Sequence, residues 1–323
     1  MNKPTENNKP EKERIRLDEI IKLLFNVSKQ TLVNTLNGLF NEQFNSDDVD
    51  IKISKTSTEF VPDNLDIIRA DSFFKLEAAN KPYHYHIEYQ LNANDMTIRV
   101  FEYAIQKALE NKRVDGRTSR KILYLPRSLV IHFEKSDSIP DQYELEIVFP
   151  NGDSHEYTIA IMKYWEYTDK KLIDKKLYNL LPLQVFLLRA ELDKVMKSNN
   201  EKEQNTAISR AKEMTSKIFT VITELHEEHE INSDDYNKII TGLTEIMNHI
   251  DNKYNIKLGG EIEMIKTIAD ENILKRARQA EQALQSEKAK TAKKMLLNNE
   301  PIDKIIDYTG LTEQEIQNIQ KTL

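Results

Sequence analysis

Apolar residues first recur at helical spacing at Leu17, Ile20, Ile21 and Leu24, and again at Leu32, Leu36, Leu39 and Phe40. This pattern predicts one or two helices over 17–44. Residues 1–14 are polar, carry two prolines and have no periodicity, as expected of a disordered tail. Alternation follows at Val49, Ile51 and Ile53, which would share one strand face within 49–61, and Pro62-Asp63-Asn64 breaks it. Further strands are expected over 67–77 and over the run YHYHIEYQL, joined as a hairpin-like pair by the turn AANKP. Residues 95–113 return to a helical period, with Ile98, Phe101, Ile105 and Leu109 as one apolar stripe. The apolar run at 121–133, interrupted by Pro126, reads in part as a buried strand. The segments 143–149 and 157–164 flank the hairpin signal Asn151-Gly152.

After Trp165 the chain turns helical. One or two helices are expected around Pro182, an amphipathic pair over 207–230 and 234–251, and a long helix over 261–298 after the Gly259-Gly260 break. The chain closes on helix, Gly310, helix, with Thr312 and Glu315 spaced as a capping box. The order is α, β, β, β, α, β, a hairpin, then helices. It predicts an α/β fold in which a mixed sheet flanked by helices occupies 15–190 and a mainly α-helical region occupies 191–323.

Composition narrows the functional classes. The 323 residues include 39% hydrophobic and 31% charged positions, enough to bury a core. No cysteine is present, which excludes disulfides and thiolate zinc sites. The first residues lack an apolar leader and no stretch is long enough to span a bilayer, so a cytoplasmic protein without membrane contact is expected. No Walker A, GxGxxG or Gly-x-Ser-x-Gly pattern occurs, so no nucleotide cofactor is expected. A net charge of −7 does not advertise a nucleic-acid binder, but local patches matter more than the sum. One such patch joins Lys107, Lys112, Arg113, Arg117, Arg120 and Lys121, interrupted only by Glu110 and Asp115. It reads either as a DNA-facing surface or as a solvated helix end.

The chemistry concentrates in two stretches, RADSFFK and HIEYQ. Glu88 and Gln90 share a strand face, and a paired strand about 5 Å away can set Asp71 beside Glu88. Two carboxylates at one strand end make a hard-oxygen site of the kind Mg²⁺ or Mn²⁺ prefers. Lys75 lies four residues after Asp71, on the same face of a regular strand, and is the candidate cation. Arg99 and Tyr103 are spaced i, i+4 on the following helix. His84 and His86 share the face of Glu88. Three successive positions on that face spread over about 13 Å, which favours supporting roles, with His86 the nearer neighbour. The bland reading of the same residues is an ion-pair network in a sheet.

With Asp71, the triplet Glu88-Tyr89-Gln90 and the segment RVFEY (Arg99, Tyr103), the chain resembles the PD-(D/E)XK nuclease superfamily. Within it, the likeness is to the recombination-promoting nuclease (Rpn) and transposase-like branch. The resemblance covers about residues 15–190, and the tail LLNNEPIDKIIDYTGLTEQEI is similar to C-terminal segments of such proteins. It implies a restriction-endonuclease-like core and a Mg²⁺-dependent DNA endonuclease linked to recombination or mobile elements. It also implies Asp71, Glu88 and the Tyr89 main-chain carbonyl as metal ligands. Gln90 stands where the superfamily pattern has lysine, and an amide can orient water or phosphate but carries no charge. Glu19 or Glu42 would complete the site from the first helices. Arg99, Tyr103, His86, Lys112, Arg113 and Arg117 would contact DNA or brace the site. The alternative is a catalytically inactive module of this fold that binds DNA or protein through its long helices. DNA and a second copy of the chain are the expected partners. Two further motifs weigh little. His226 and His229 are three residues apart rather than four, so they read as an exposed polar helix end. The terminal helix pair carries acids at its second N-terminus, so it reads as a packing hairpin rather than a DNA reader.

Overall fold

The computed structural model describes residues 9–56, 59–60, 68–69, 71–198 and 200–323. Helices α1 (Lys9–Leu24) and α2 (Lys29–Phe40) stand where the periodicity placed them, with α1 starting inside the expected tail. Residues 1–8 of that tail and the Pro62-Asp63-Asn64 break lie outside the described residues. Next come β1 (Lys52–Thr56), a ribbon of β2 (Glu59–Phe60) with β3 (Ile68–Arg69), β4 (Ser72–Ala78) and β5 (Lys81–Gln90). Helix α3 (Thr97–Glu110) leads to a second ribbon of β6 (Arg113–Val114) and β7 (Lys121–Ile122). The sheet is completed by β8 (Arg127–His132), β9 (Gln142–Val148) and β10 (Ser154–Lys163). The main sheet is mixed, in the order β1-β4-β5-β8-β10-β9, with β8 parallel to both β5 and β10 and the other pairs antiparallel. The Asn151-Gly152 hairpin thus forms the far edge of the sheet.

Two expected details differ. Val49 does not join a strand: the Asp48 carboxylate takes the Asp50 amide (2.9 Å) in a turn, leaving Val49 86% exposed. The apolar stripe of α3 is also not its buried face. Ile98 and Leu109 are exposed, and the helix instead turns Val100, Tyr103, Ala104, Lys107 and Ala108 inward. The reason lies beneath it. The sheet face under α3 carries Glu88 and His86, which favour the Tyr and Lys side of the helix, while Met96 and Val100 close an apolar patch with Val130, Tyr143 and Ile159. The opposite face is covered by α1 and α2, through Phe25 against Phe74 (5.9 Å) and Phe40 against Tyr85 (4.7 Å).

The β4–β5 turn has two residues, Ala79 (φ 49°) and Asn80 (φ 60°), between the paired Ala78 and Lys81. Both are left-handed, as a type I′ turn requires, but alanine is a poor occupant of that region. Replacing the pair by Asn-Gly should raise stability by about 1 kcal/mol, read as a higher urea midpoint at unchanged slope.

Beyond β10 the expected helix around Pro182 is broken into α4 (Asp169–Asp174), a 3₁₀ turn at Tyr178–Leu180, α5 (Leu183–Leu187) and α6 (Arg189–Val195). Lys176 is left-handed (φ 53°) and Pro182 has no amide to continue a helix. The amphipathic pair appears as α7 (Glu201–Glu227) and α8 (Ser233–Tyr254). The chain divides into compact units at 1–263 and 264–323, so the boundary expected near 190 is displaced. The cause is the docking of α8 on α1, close enough that a Cβ on Gly242 would lie 2.5 Å from Leu24.

Helix α9 (Gly259–Leu297) carries the chain into the second unit. There α10 (Ile302–Thr309) and α11 (Glu313–Gln320) fold into a packing hairpin whose Ile305, Leu311 and Ile316 meet Ala292 of α9. Gly310 is left-handed (φ 63°), and the Thr312–Glu315 capping box forms in both directions.

Candidate active site at the β4–β5 edge

The hairpin register pairs Ser72 with Ile87 and Phe73 with His86. Asp71, in the bend before β4, therefore falls opposite Glu88. The main chain ties the two carboxylates together. The Asp71 amide donates to Glu88 Oε1 (2.9 Å), and the Tyr89 amide donates to Asp71 Oδ2 (2.8 Å). Glu88 is 1% exposed and Asp71 half-buried. In a strand the amide and carbonyl of one residue leave on the same edge. The Tyr89 carbonyl thus faces the same side as its amide, toward Asp71.

A polar chain continues inward from Glu88. His86 Nε2 lies 2.9 Å from Glu88 Oε1, its Nδ1 3.3 Å from Ser128 Oγ, and Ser128 Oγ 3.0 Å from the Tyr157 hydroxyl. Phe73 stacks on the imidazole (4.2 Å, 13°) and Tyr103 meets its edge. Burial pushes His86 down to about 3, against a smaller opposing pull from the Asp71 charge. The contact with Glu88 is therefore a hydrogen bond from a neutral ring, not the ion pair its distance suggests. Ser128 and Tyr157 were not singled out in the sequence. The available signal for Ser128 was a single serine inside the apolar run at 121–133.

This burial has a consequence for acid stability. The unfolded chain takes up the His86 proton near its ordinary value of about 6.5, whereas the folded chain holds it off until about 3. A folded pKa below the unfolded one removes stability as pH falls through that window. Near pH 4.5 the loss from this group is about 3 kcal/mol. Chemical denaturation at pH 7 and 4.5 should show it, and His86→Gln should flatten the slope by about one proton. An equal slope in both proteins would exclude the assignment.

The cation beside the pair is not Lys75. Its ammonium lies 2.5 Å from Glu77, and two strand pairs separate it from Asp71, about 13 Å along β4. Arg99 takes that place electrostatically. Burial works against its charge, but its bond to the Tyr103 hydroxyl (2.5 Å) and the charges of Glu88 and Asp71 more than compensate, and its pKa rises. Lys107, one turn beyond Tyr103, is buried with its ammonium over the Phe73 ring (5.2 Å) and 2.8 Å from Glu110. Gln90 shares the Glu88 face and sets its amide against Met96 Sδ at 2.7 Å. Neither helix glutamate joins the pair. Glu19 is exposed, and Glu42 bonds Tyr85 (3.1 Å) and Arg127 on the opposite face. The charge of Asp18, on α1, reaches the Tyr89 hydroxyl. Lys112, Arg113 and Arg117 are exposed on and beside the β6–β7 ribbon. His226 departs from the exposed helix end expected of it, being buried and stacked on Tyr236 (4.3 Å) with Ser233 3.0 Å from its ring.

Among the described residues, no three His, Cys, Asp or Glu side chains gather as a metal cage. The donor set still suits a hard divalent ion. Mg²⁺ is commonly held by one or two carboxylates with water, and each carboxylate offers about four lone-pair positions, of which the amide bonds use only some. Among the described residues, no helix is long and apolar enough to cross a membrane. Comparison with protein family models, curated proteins and solved structures finds no match to this chain.

Proposed function

We propose that the chain is a metal-dependent endonuclease that hydrolyses DNA phosphodiesters, built on a restriction-endonuclease-like core of the PD-(D/E)XK type and serving recombination or mobile-element movement. The observation that carries this reading is the cross-tied Asp71–Glu88 pair at a strand end, with Arg99 beside it. Asp71, Glu88 and the Tyr89 carbonyl would hold Mg²⁺ or Mn²⁺, which when bound supplies an activated water and polarises a phosphoryl oxygen. The other residues prepare that centre. Neutral His86, braced by Ser128, fixes the Glu88 carboxylate by hydrogen bonding. Arg99, braced by Tyr103, offers a guanidinium for a non-bridging phosphate oxygen. Gln90, on the same face, contributes an amide without charge.

A second reading, a DNA-binding module without turnover, draws on Lys75 being engaged by Glu77. Plasmid nicking by the purified chain with Mg²⁺ or Mn²⁺, beside an EDTA control, separates the two. Metal-dependent nicking supports the nuclease. Plasmid binding without nicking under either metal moves the assignment to the module.

A further inference from the structure

We propose that the β6–β7 ribbon is an arm that grips the backbone of duplex DNA, separately from the carboxylate pair. The inference deepens the nuclease reading for its substrate class but rests on its own surface. Residues 112–121 hold five cations, Lys112, Arg113, Arg117, Arg120 and Lys121, and one acid, Asp115. That acid is turned to the loop itself. It accepts the Arg117 amide (2.8 Å), and its carboxyl is held below the usual range first by that bond and then by the Thr118 hydroxyl. Its main chain closes the loop, through Asp115 N–H to Arg120 O (2.8 Å) and Ser119 N–H to Asp115 O (2.9 Å).

Glu110 is engaged with Lys107, and Glu77 is ion-paired with Lys75 while also feeling the charge of Arg113. Among the described residues, none of the five cations is in an ion pair, and all five are exposed. Five unpaired like charges within ten residues repel one another, and the arrangement suits a surface whose counter-charge is a ligand. The ribbon also presents Tyr124, under the Arg113 guanidinium (5.6 Å), with Val114 and Leu123 exposed beside it. A two-stranded ribbon fits a DNA groove about 12 Å wide, and cations on its strands and loop meet the flanking phosphates.

Its position suits a substrate shared with the candidate site. Helix α3 runs from Arg99 beside the carboxylates toward the ribbon, about 18 Å from Arg99 to Asn111. That length matches about five base-pair rises of one strand.

The test uses the full chain in metal-free buffer, where no cleavage interferes, and a fluorescein-labelled 30-base-pair duplex. Arg117→Glu/Arg120→Glu should weaken binding at least about tenfold at 100 mM salt and lower the salt slope by about 2. A control, Lys197→Glu/Lys202→Glu, changes the net charge equally at exposed sites outside the arm. Equal affinity of wild type and arm variant overturns the arm, as does equal weakening by the control or failure of the wild type to bind. The nuclease reading is judged apart from this. Metal-dependent plasmid nicking by the wild type decides that reading whether or not the arm binds DNA, and arm-dependent binding in a protein that never nicks leaves the arm standing.

Discussion

Glu88→Gln is expected to lower the metal-dependent nicking rate by about 10³-fold while leaving the fold intact. The amide has the shape of the carboxylate, so the Asp71 amide and His86 keep a partner within reach at Oε1. What the substitution removes is the charge. A neutral amide is a poor ligand for a hard divalent ion, and loss of one preorganised electrostatic group at a reacting centre costs about 10²–10³ in rate. Glu88→Ala is a worse probe, since it strands a buried amide and an imidazole, at about 1–3 kcal/mol for each unsatisfied group. Initial rates on supercoiled plasmid, read beside thermal midpoints of both proteins, decide the point. A Gln variant that nicks within tenfold of wild type would remove Glu88 from the reacting centre. Asp71→Asn should behave similarly, because the two carboxylates are tied through each other's main chain.

The pairing of these two acids was legible because it is local. The turn at AANKP fixes the hairpin register, and counting back from Ala78 opposite Lys81 brings Asp71 opposite Glu88. The terminal capping box was legible for the same reason, with Thr312 and Glu315 satisfying each other three residues apart. What the sequence left open depends on which surfaces face one another across the fold. Lys75 has the right parity to meet Asp71, but parity does not measure distance along a strand, and Glu77 lies closer. The buried face of α3 is not legible from the chain alone, because Ile98, Phe101, Ile105 and Leu109 outweigh Val100, Ala104 and Ala108 in apolar content. The buried side is selected by what the sheet offers: a carboxylate, an imidazole and a phenyl ring that Arg99, Tyr103 and Lys107 complement. Ser128 and Tyr157 reach His86 from β8 and β10, strands whose order in the sheet no local pattern encodes. The α/β class was legible, whereas the unit boundary was not. The helices after 190 have the amphipathic signature of an independent bundle, yet α8 finds its apolar partner on α1.

The joint between α8 and α2 carries the largest expected effect on stability. Asp235 is fully buried in the first turn of α8, and its carboxylate accepts from the Ser28 amide (2.6 Å), the Ser28 hydroxyl (2.5 Å), the Thr31 hydroxyl (2.6 Å) and Asn232 Nδ2 (3.2 Å). Two helix N-termini, those of α2 and α8, thus converge on one anion, which their aligned dipoles favour. Asp235→Ala removes the acceptor and leaves the donors buried, which should cost about 3–5 kcal/mol. For a unit of this size that is a fall in Tm on the order of 10 °C. The origin of the loss is testable as well as its size. If unpaired donors cause it, adding Ser28→Ala and Thr31→Val to Asp235→Ala should recover part of the stability, because removing both partners of a buried bond costs less than removing one. If the triple variant is instead less stable by the full sum of the separate changes, the three residues act independently and the carboxylate is not the joint between α2 and α8.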